Sequence, residues 1–298
     1  MGVTIRTARL ADRSRILAIS SQIWEGDDYV PQVIGEWLRM RDSEVAVADL
    51  NGSVIAFGRT VNLTPGYVWL EGIRTDTAAQ GHGAGKALTE YFIEKATREG
   101  AQRIGLSTYV DNLASIHIIE RYRFVRQASF ILAEAKLDGR ARSTAELSPR
   151  VSAVPFDEAR AWILGSASIK MSCGFLSQGW KFWPVARPGV LMWPPFDAAI
   201  GIHSGDGSLR SLLVVCRPDH GSGEATVDFA DGSPRDLDVL VRHALALYPG
   251  ATYIQTMVPA SQAVHTNLLE MVTGLEFDVW RHGEPDVFVY ERRVEQPH

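Results

Sequence analysis

The sequence predicts a mixed α+β fold divided into two domains. Three observations carry this. The chain has 298 residues, whereas one domain usually takes roughly 100–200. Hydrophobic residues make up 46% and charged residues 22%, a balance that excludes a disordered, collagenous or coiled-coil chain. Runs of period-two apolar residues alternate with runs of helical period, and the order hairpin, strand, helix, strand, helix, strand pair occurs twice.

In the first half, Val3–Ala8 alternates as a strand, and Asp12 caps a helix carrying Ile16, Leu17, Ile19 and Ile23. An acidic and aromatic loop, Trp24–Pro31, precedes a second helix over about Gln32–Met40. Glu44–Asp49 and Ser53–Asn62 flank Asn51-Gly52, the signature of a hairpin. Tyr67–Arg74 is the next strand; a glycine-rich loop, Thr77–Lys86, leads into an amphipathic helix over Ala87–Glu99. A strand over Arg103–Val110, a helix over Asn112–Tyr122 and one or two strands over Phe124–Ala135 close the domain. Asp138–Pro155, rich in Ser, Arg, Ala and Pro, reads as a linker. The expected division is therefore 1–137, a linker over 138–155, and 156–298.

The glycine loop carries the chemistry. Gly81, Gly83 and Gly85 lack a Cβ, so successive N–H groups can turn toward one anion. The helix that follows adds its positive end. The spacing fits neither a Walker A loop nor a dinucleotide fingerprint, because Lys86 and Leu88 stand where the latter needs glycine.

Gln80-Gly81-His82-Gly83-Ala84-Gly85, between a strand and a helix, resembles the acyl-CoA loop of the GNAT superfamily of N-acetyltransferases, whose pattern is Arg/Gln-x-x-Gly-x-Gly/Ala. The segment Leu106–Ile116, with Asn112 and Ser115, resembles that family's next strand and helix. The resemblance covers about residues 3–135 and implies a twisted, mostly antiparallel sheet flanked by helices. It also implies acetyl-CoA as acyl donor. The pyrophosphate would lie on Gln80, Gly81, His82, Gly83, Ala84, Gly85 and Lys86. The pantetheine arm would run along Ile73, Arg74 and Thr75 and past Asn112 and Ser115. Lys86 reads either as a counter-charge for phosphate or as a surface lysine. Glu71 is similar in position to the family's common catalytic glutamate and would take a proton from the attacking amine; a strand-edge salt bridge is the competing reading. The family's proton-donating Tyr aligns with Ile119. Tyr122, three residues on, either substitutes for it or packs under the next strand. The family places its acceptor beside the loop holding Trp24, Asp28 and Tyr29, where acidic groups would suit a cationic amine.

In the second half, Phe156–Ser168 reads as a helix. Ala198–His203 and Leu209–Cys216 form a hairpin, and Glu224–Phe229 a strand. A helix over Pro234–Tyr248 and a strand over Ala251–Val258 follow. A helix over Ser261–Thr273 and strands over Phe277–Arg281 and Asp286–Arg292 end the chain. The element order resembles a second, degenerate GNAT-like unit. Pro234 removes an N–H at the would-be cradle, and Asp231 and Asp236 would repel a pyrophosphate, so no CoA is expected there. Trp180, Trp183 and Trp193, with Phe175, Phe182 and Phe196, read either as core and interdomain packing or as an acceptor pocket or cation–π cage.

The first 150 residues hold 19 Lys and Arg against 18 Asp and Glu; the remainder hold 11 against 17. Neither half carries the basic excess of a nucleic-acid binder. Cys173 and Cys216 have no metal-ligand spacing, and no run reaches membrane-span length. The expectation is a cytoplasmic enzyme without metal, nucleic-acid or membrane partner, monomer or homodimer, that moves an acetyl group from acetyl-CoA to a primary amine of a small molecule. The alternatives are a catalytically reduced CoA-binding sensor and an acetyltransferase of protein N-termini or lysines.

Overall fold

The computed structural model describes residues 2–26, 28–137, 146–187, 193–216, 223–260, 278–279 and 284–295. Contacts divide the chain into two compact units, Met1–Val125 with Tyr290–His298, and Arg126–Val289.

The first unit holds strands β1 (Thr4–Thr7), β2 (Ser43–Leu50), β3 (Ser53–Thr64), β4 (Tyr67–Thr75) and β5 (Arg103–Tyr109), side by side in that order. Helices α1 (Arg13–Ser20), α2 (Val30–Trp37), α3 (Ala84–Arg98) and α4 (Leu113–Arg121) flank them. Pairing is antiparallel except between β4 and β5, which run parallel. Ile16 and Ile19 of α1 and Val33, Ile34 and Trp37 of α2 pack on Val45, Val47 and Phe57 of the sheet. This is why the helical-period apolar residues of those segments face one way.

The first unit is completed by the end of the chain. The last strand, Val287–Arg293, lies next to β5. The Arg103 guanidinium donates to the Glu291 carboxylate at 2.8 Å, and the Val294 N–H donates to the Gln102 carbonyl at 2.9 Å. Tyr290 donates to Glu120 at 3.0 Å and Arg292 to the Tyr122 carbonyl at 2.8 Å, tying down the end of α4. Sequence reading instead assigned 124–135 to this unit and divided the chain at 138–155. An alternating strand has an apolar face for any sheet edge of matching register, so the pattern does not say which sheet it joins.

The second unit begins with β6 (Val125–Lys136) and β7 (Val151–Ala153). Helices α5 (Phe156–Gly165) and α6 (Ala167–Met171) follow, then the hairpin β8 (Leu176–Gln178) and β9 (Lys181–Trp183). Next come β10 (Ala198–His203), β11 (Leu209–Cys216), β12 (Glu224–Asp231), α7 (Pro234–Leu247) and β13 (Tyr253–Pro259). The short β14 (Asp278–Val279) pairs with β6, and β15 is the Val287–Arg293 strand described above. The sheet order is β6-β13-β12-β11-β10-β7, antiparallel except for parallel β12 and β13. This repeats the arrangement of the first unit. Leu237, Leu240, Val241 and Ala244 of α7 pack on Leu213, Val215, Ala225 and Val227. The single helix expected over 156–168 is two, because Ser166 leaves helical geometry (ψ 154°) and its hydroxyl accepts the Ile169 N–H at 3.1 Å, capping α6. The helix expected over 261–273 lies outside the described residues.

Asp228 of β12 is buried, and burial pushes its carboxyl up to about 8, with Asp197 adding repulsion against the hydrogen bonds from Thr226 and Gln178. An acid whose folded-state value lies above its unfolded value binds a proton on folding. Its contribution to stability is therefore complete below pH 4 and is lost as pH rises to about 8, at up to about 1.4 kcal/mol per pH unit. Asp228→Asn should remove this slope. The measurement is Tm at pH 5 and pH 8: the variant is expected to gain on the wild type at the higher pH.

Candidate active site

The site is built where β4 and β5 part. Their parallel register runs from Tyr67–Arg103 to Leu70–Leu106 and stops, although β4 continues to Thr75 and β5 to Tyr109. Glu71 is the first residue beyond the last pair. It also begins a bulge, since Arg59 pairs with Glu71 and Phe57 with Arg74, leaving one extra residue on β4. Gly72 absorbs that bulge at φ +66°, and a Cβ there would lie 3.0 Å from the Trp37 ring. Gly72→Ala is expected to cost about 1–2 kcal/mol through this backbone conformation alone, read in a urea titration.

The Glu71 carboxylate accepts a 2.5 Å hydrogen bond from the Arg59 guanidinium, whose side chain is 2% exposed. Arg59 lies over the Trp37 ring at 4.7 Å and also reaches the Met40 sulfur at 3.1 Å. The Tyr29 ring stands edge-on to Trp37 at 5.8 Å. Its hydroxyl is raised in pKa by burial first and by the Glu71 charge second, so Tyr29 and Glu71 share one environment. Arg74 lies over Trp24 at 4.5 Å and Tyr29 at 5.8 Å, and Trp24 meets Tyr109 edge to face at 6.0 Å. Ring and guanidinium contacts thus run from Arg59, which holds Glu71, through Trp37 and Tyr29 to Arg74, Trp24 and Tyr109.

Asp28 is placed differently from the expectation. Its carboxylate is fully buried and takes both Arg74 Nε (3.3 Å) and Nη2 (3.1 Å), with the Ser20 hydroxyl donating at 2.7 Å. It is therefore neutralised from within and positions Arg74 rather than facing a cationic acceptor. Asp28 and Glu71 are each matched by an arginine.

At the far end of β4, Asp76 caps a short turn through the Ala78 N–H at 2.9 Å and is ion-paired to Arg15. The Thr77 hydroxyl donates to Gln22 at 2.6 Å, and the His82 Nδ1–H donates back to the Ala79 carbonyl at 3.2 Å. These contacts hold the loop in shape. Gly83 then opens α3 at φ +76°. Among the described residues, the N–H groups of Gly81, His82, Gly83, Ala84, Gly85 and Lys86 make no hydrogen bond, and the first helical bond back to this loop is from Ala87. No atom lies within 4 Å of a Cβ built on Gly81 or Gly83. Uncommitted donors facing open space at a helix start are what a pyrophosphate requires, so these residues fit the CoA implied by the sequence. Thr75 lies beside Gly85. Gln80 is exposed, and Lys86 is half exposed, with its ammonium 3.9 Å from Glu90.

Asn112 accepts the Ser115 N–H at 3.3 Å and so serves as the cap of α4, leaving its amide N–H groups for other use. Tyr122 ends α4. Its hydroxyl donates to Glu90 on α3, and burial, followed by this bond, pushes it up to about 12. No contact brings it to Glu71 among the described residues, and Ile119, at the position the family gives to Tyr, is 3% exposed in the core. Arg59, Trp37 and Tyr109 were missed in the sequence. Arg59 left a signal there, as an arginine inside the apolar run Val54–Val61.

Residues 13–124 match the Acetyltransferase (GNAT) family. The chain is 30% identical over 240 residues to the human protein named "Probable N-acetyltransferase 16", across 67% of its own length. It spans 63% of that protein's length. Two solved structures share the fold along nearly the whole chain. A GCN5-related N-acetyltransferase from Sphaerobacter thermophilus has a TM-score of 0.64 at 13% identity, covering 99% of this chain and 96% of that one. A tandem GNAT protein from the clavulanic acid biosynthesis pathway has 0.61 at 10% identity, covering 99% and 100%.

Proposed function

We propose that the chain is an acetyl-CoA-dependent N-acetyltransferase whose acceptor is a small molecule with a primary amine. The observation that carries this is Glu71 at the parting of β4 and β5, with the uncommitted N–H groups of Gly81–Lys86 at the other end of the same strand. The name of the human relative, an N-acetyltransferase, points the same way. Acetyl-CoA, when bound, supplies an activated thioester carbonyl. The loop N–H groups bind its pyrophosphate, and the edge of β4 that parts from β5 past Leu70 orients the arm. Glu71 takes a proton from the acceptor ammonium, and Arg59 holds the carboxylate in place. Tyr29, Trp24 and Trp37 exclude water. The CoA thiol, with a pKa near 8.5 like that of cysteine, leaves as thiolate without Tyr122. The protein works in the cytoplasm as a monomer or homodimer, with no nucleic-acid, membrane or metal partner.

The buried Ile119 and the engagement of Tyr122 by Glu90 favour a second reading, a CoA-binding sensor without turnover. Binding of CoA and of pantetheine, measured by calorimetry, tests the cradle: pantetheine, lacking the pyrophosphate, should bind at least tenfold more weakly. Equal binding would remove the loop from the site. Thiol release over small amines, N-terminal peptides and lysine peptides then separates the small-molecule enzyme, the protein acetyltransferase and the sensor.

A further inference from the structure

In the second unit β12 and β13 part just as β4 and β5 do. Their register runs from Glu224–Tyr253 to Val227–Thr256 and stops, while β12 continues to Asp231. Asp228 is the first residue beyond the last pair, the place Glu71 takes in β4. It is likewise a bulge, because Val215 pairs with Val227 and Val214 with Phe229. The difference lies opposite. Where β3 supplies Arg59, β11 supplies Val214 and Val215. Asp228 is 5% exposed. It takes hydrogen bonds from the Thr226 hydroxyl (2.5 Å) and the Gln178 amide (3.2 Å), and no cationic side chain meets it among the described residues. A buried carboxylate without a cation is costly, and its raised pKa is the mark of that cost.

Asp228 lines a small cavity with Ser168, Ser177, Phe130, Phe175 and Met257. The hydroxyls of Ser168 and Ser177 make no hydrogen bond among the described residues, although both residues are buried (7% and 4% exposed). One unmatched carboxylate, two uncommitted hydroxyls and an apolar wall match a primary ammonium group, which has three N–H donors, on a short apolar stem. The start of α7 offers no anion site: Ser233 accepts the Asp236 N–H, and Asp236 is held by Arg210 and Arg150.

We propose that the second unit carries a binding site of its own for a small primary amine, seated between Asp228 and the Ser168 and Ser177 hydroxyls. The amine takes the place that Arg59 occupies beside Glu71 in the first unit.

The test uses the full chain without acetyl-CoA at pH 8.5, with ethylamine as the probe and ethanol as the neutral control, followed by NMR titration. Saturable ethylamine binding is expected, at least tenfold weaker in Asp228→Asn, weakened in Ser177→Ala, and not matched by ethanol. Absence of saturable binding would overturn the proposal, as would ethanol binding as well as ethylamine. Binding that survives Asp228→Asn but drops in Glu71→Gln would also overturn it, placing the amine in the acceptor pocket and leaving the proposed function intact. Should Asp228→Asn not fold, Ser177→Ala and the ethanol comparison decide: full binding in Ser177→Ala, or equal binding of ethanol, contradicts the site.

Discussion

Glu71→Gln is expected to lower kcat/KM for amine acetylation by about 10²–10⁴-fold, the usual contribution of a positioned base, with the binding of CoA unchanged. The loss should fall in kcat, because the carboxamide keeps the shape of the side chain but takes no proton from the acceptor. The residual rate should follow the free amine fraction of the acceptor. The N–H groups proposed to bind CoA lie past the far end of β4, where Glu71 does not touch them. A variant that lost CoA affinity along with rate would therefore show that the strand had moved. Steady-state rates between pH 6 and pH 10, together with calorimetric CoA binding, separate the two outcomes.

Arg59→Met is expected to have the largest effect on stability, a loss of about 3 kcal/mol, because removing one partner of a buried ion pair leaves the other charged and unmatched. Arg59 is 2% exposed and Glu71 11%. The methionine fills much of the volume over Trp37, so packing loss is a minor part. The double variant Arg59→Met/Glu71→Gln distinguishes charge from packing: it should be more stable than Arg59→Met alone, whereas a packing defect would persist in it. Urea unfolding of both variants reads the difference.

The local parts of this architecture were legible in the sequence. The Asn51-Gly52 turn, the glycine loop and the amphipathic period of α3 are each set by residues within a few positions of one another, and the structure has them where the pattern put them, with α3 starting three residues earlier at Ala84. Long-range pairings were not legible. Asp28 and Arg74 are 46 positions apart, and nothing in the run Trp24–Pro31 distinguishes a buried carboxylate held by an arginine from one open to an acceptor. The completion of the first unit by Tyr290–Arg293 is a similar case, since its contacts with Arg103 and Glu120 span up to 188 positions. The capping role of Asn112 was within reach, because Asn before a helix is a strong N-cap signal.

The most direct test is release of CoA thiol from acetyl-CoA by the full chain over a panel of small primary amines, with Glu71→Gln run in parallel. The account predicts saturable, amine-dependent thiol release in the wild type that falls by at least 10²-fold in the variant. Amine-independent release, absence of release with every amine while CoA still binds, or equal rates in the two proteins would contradict it.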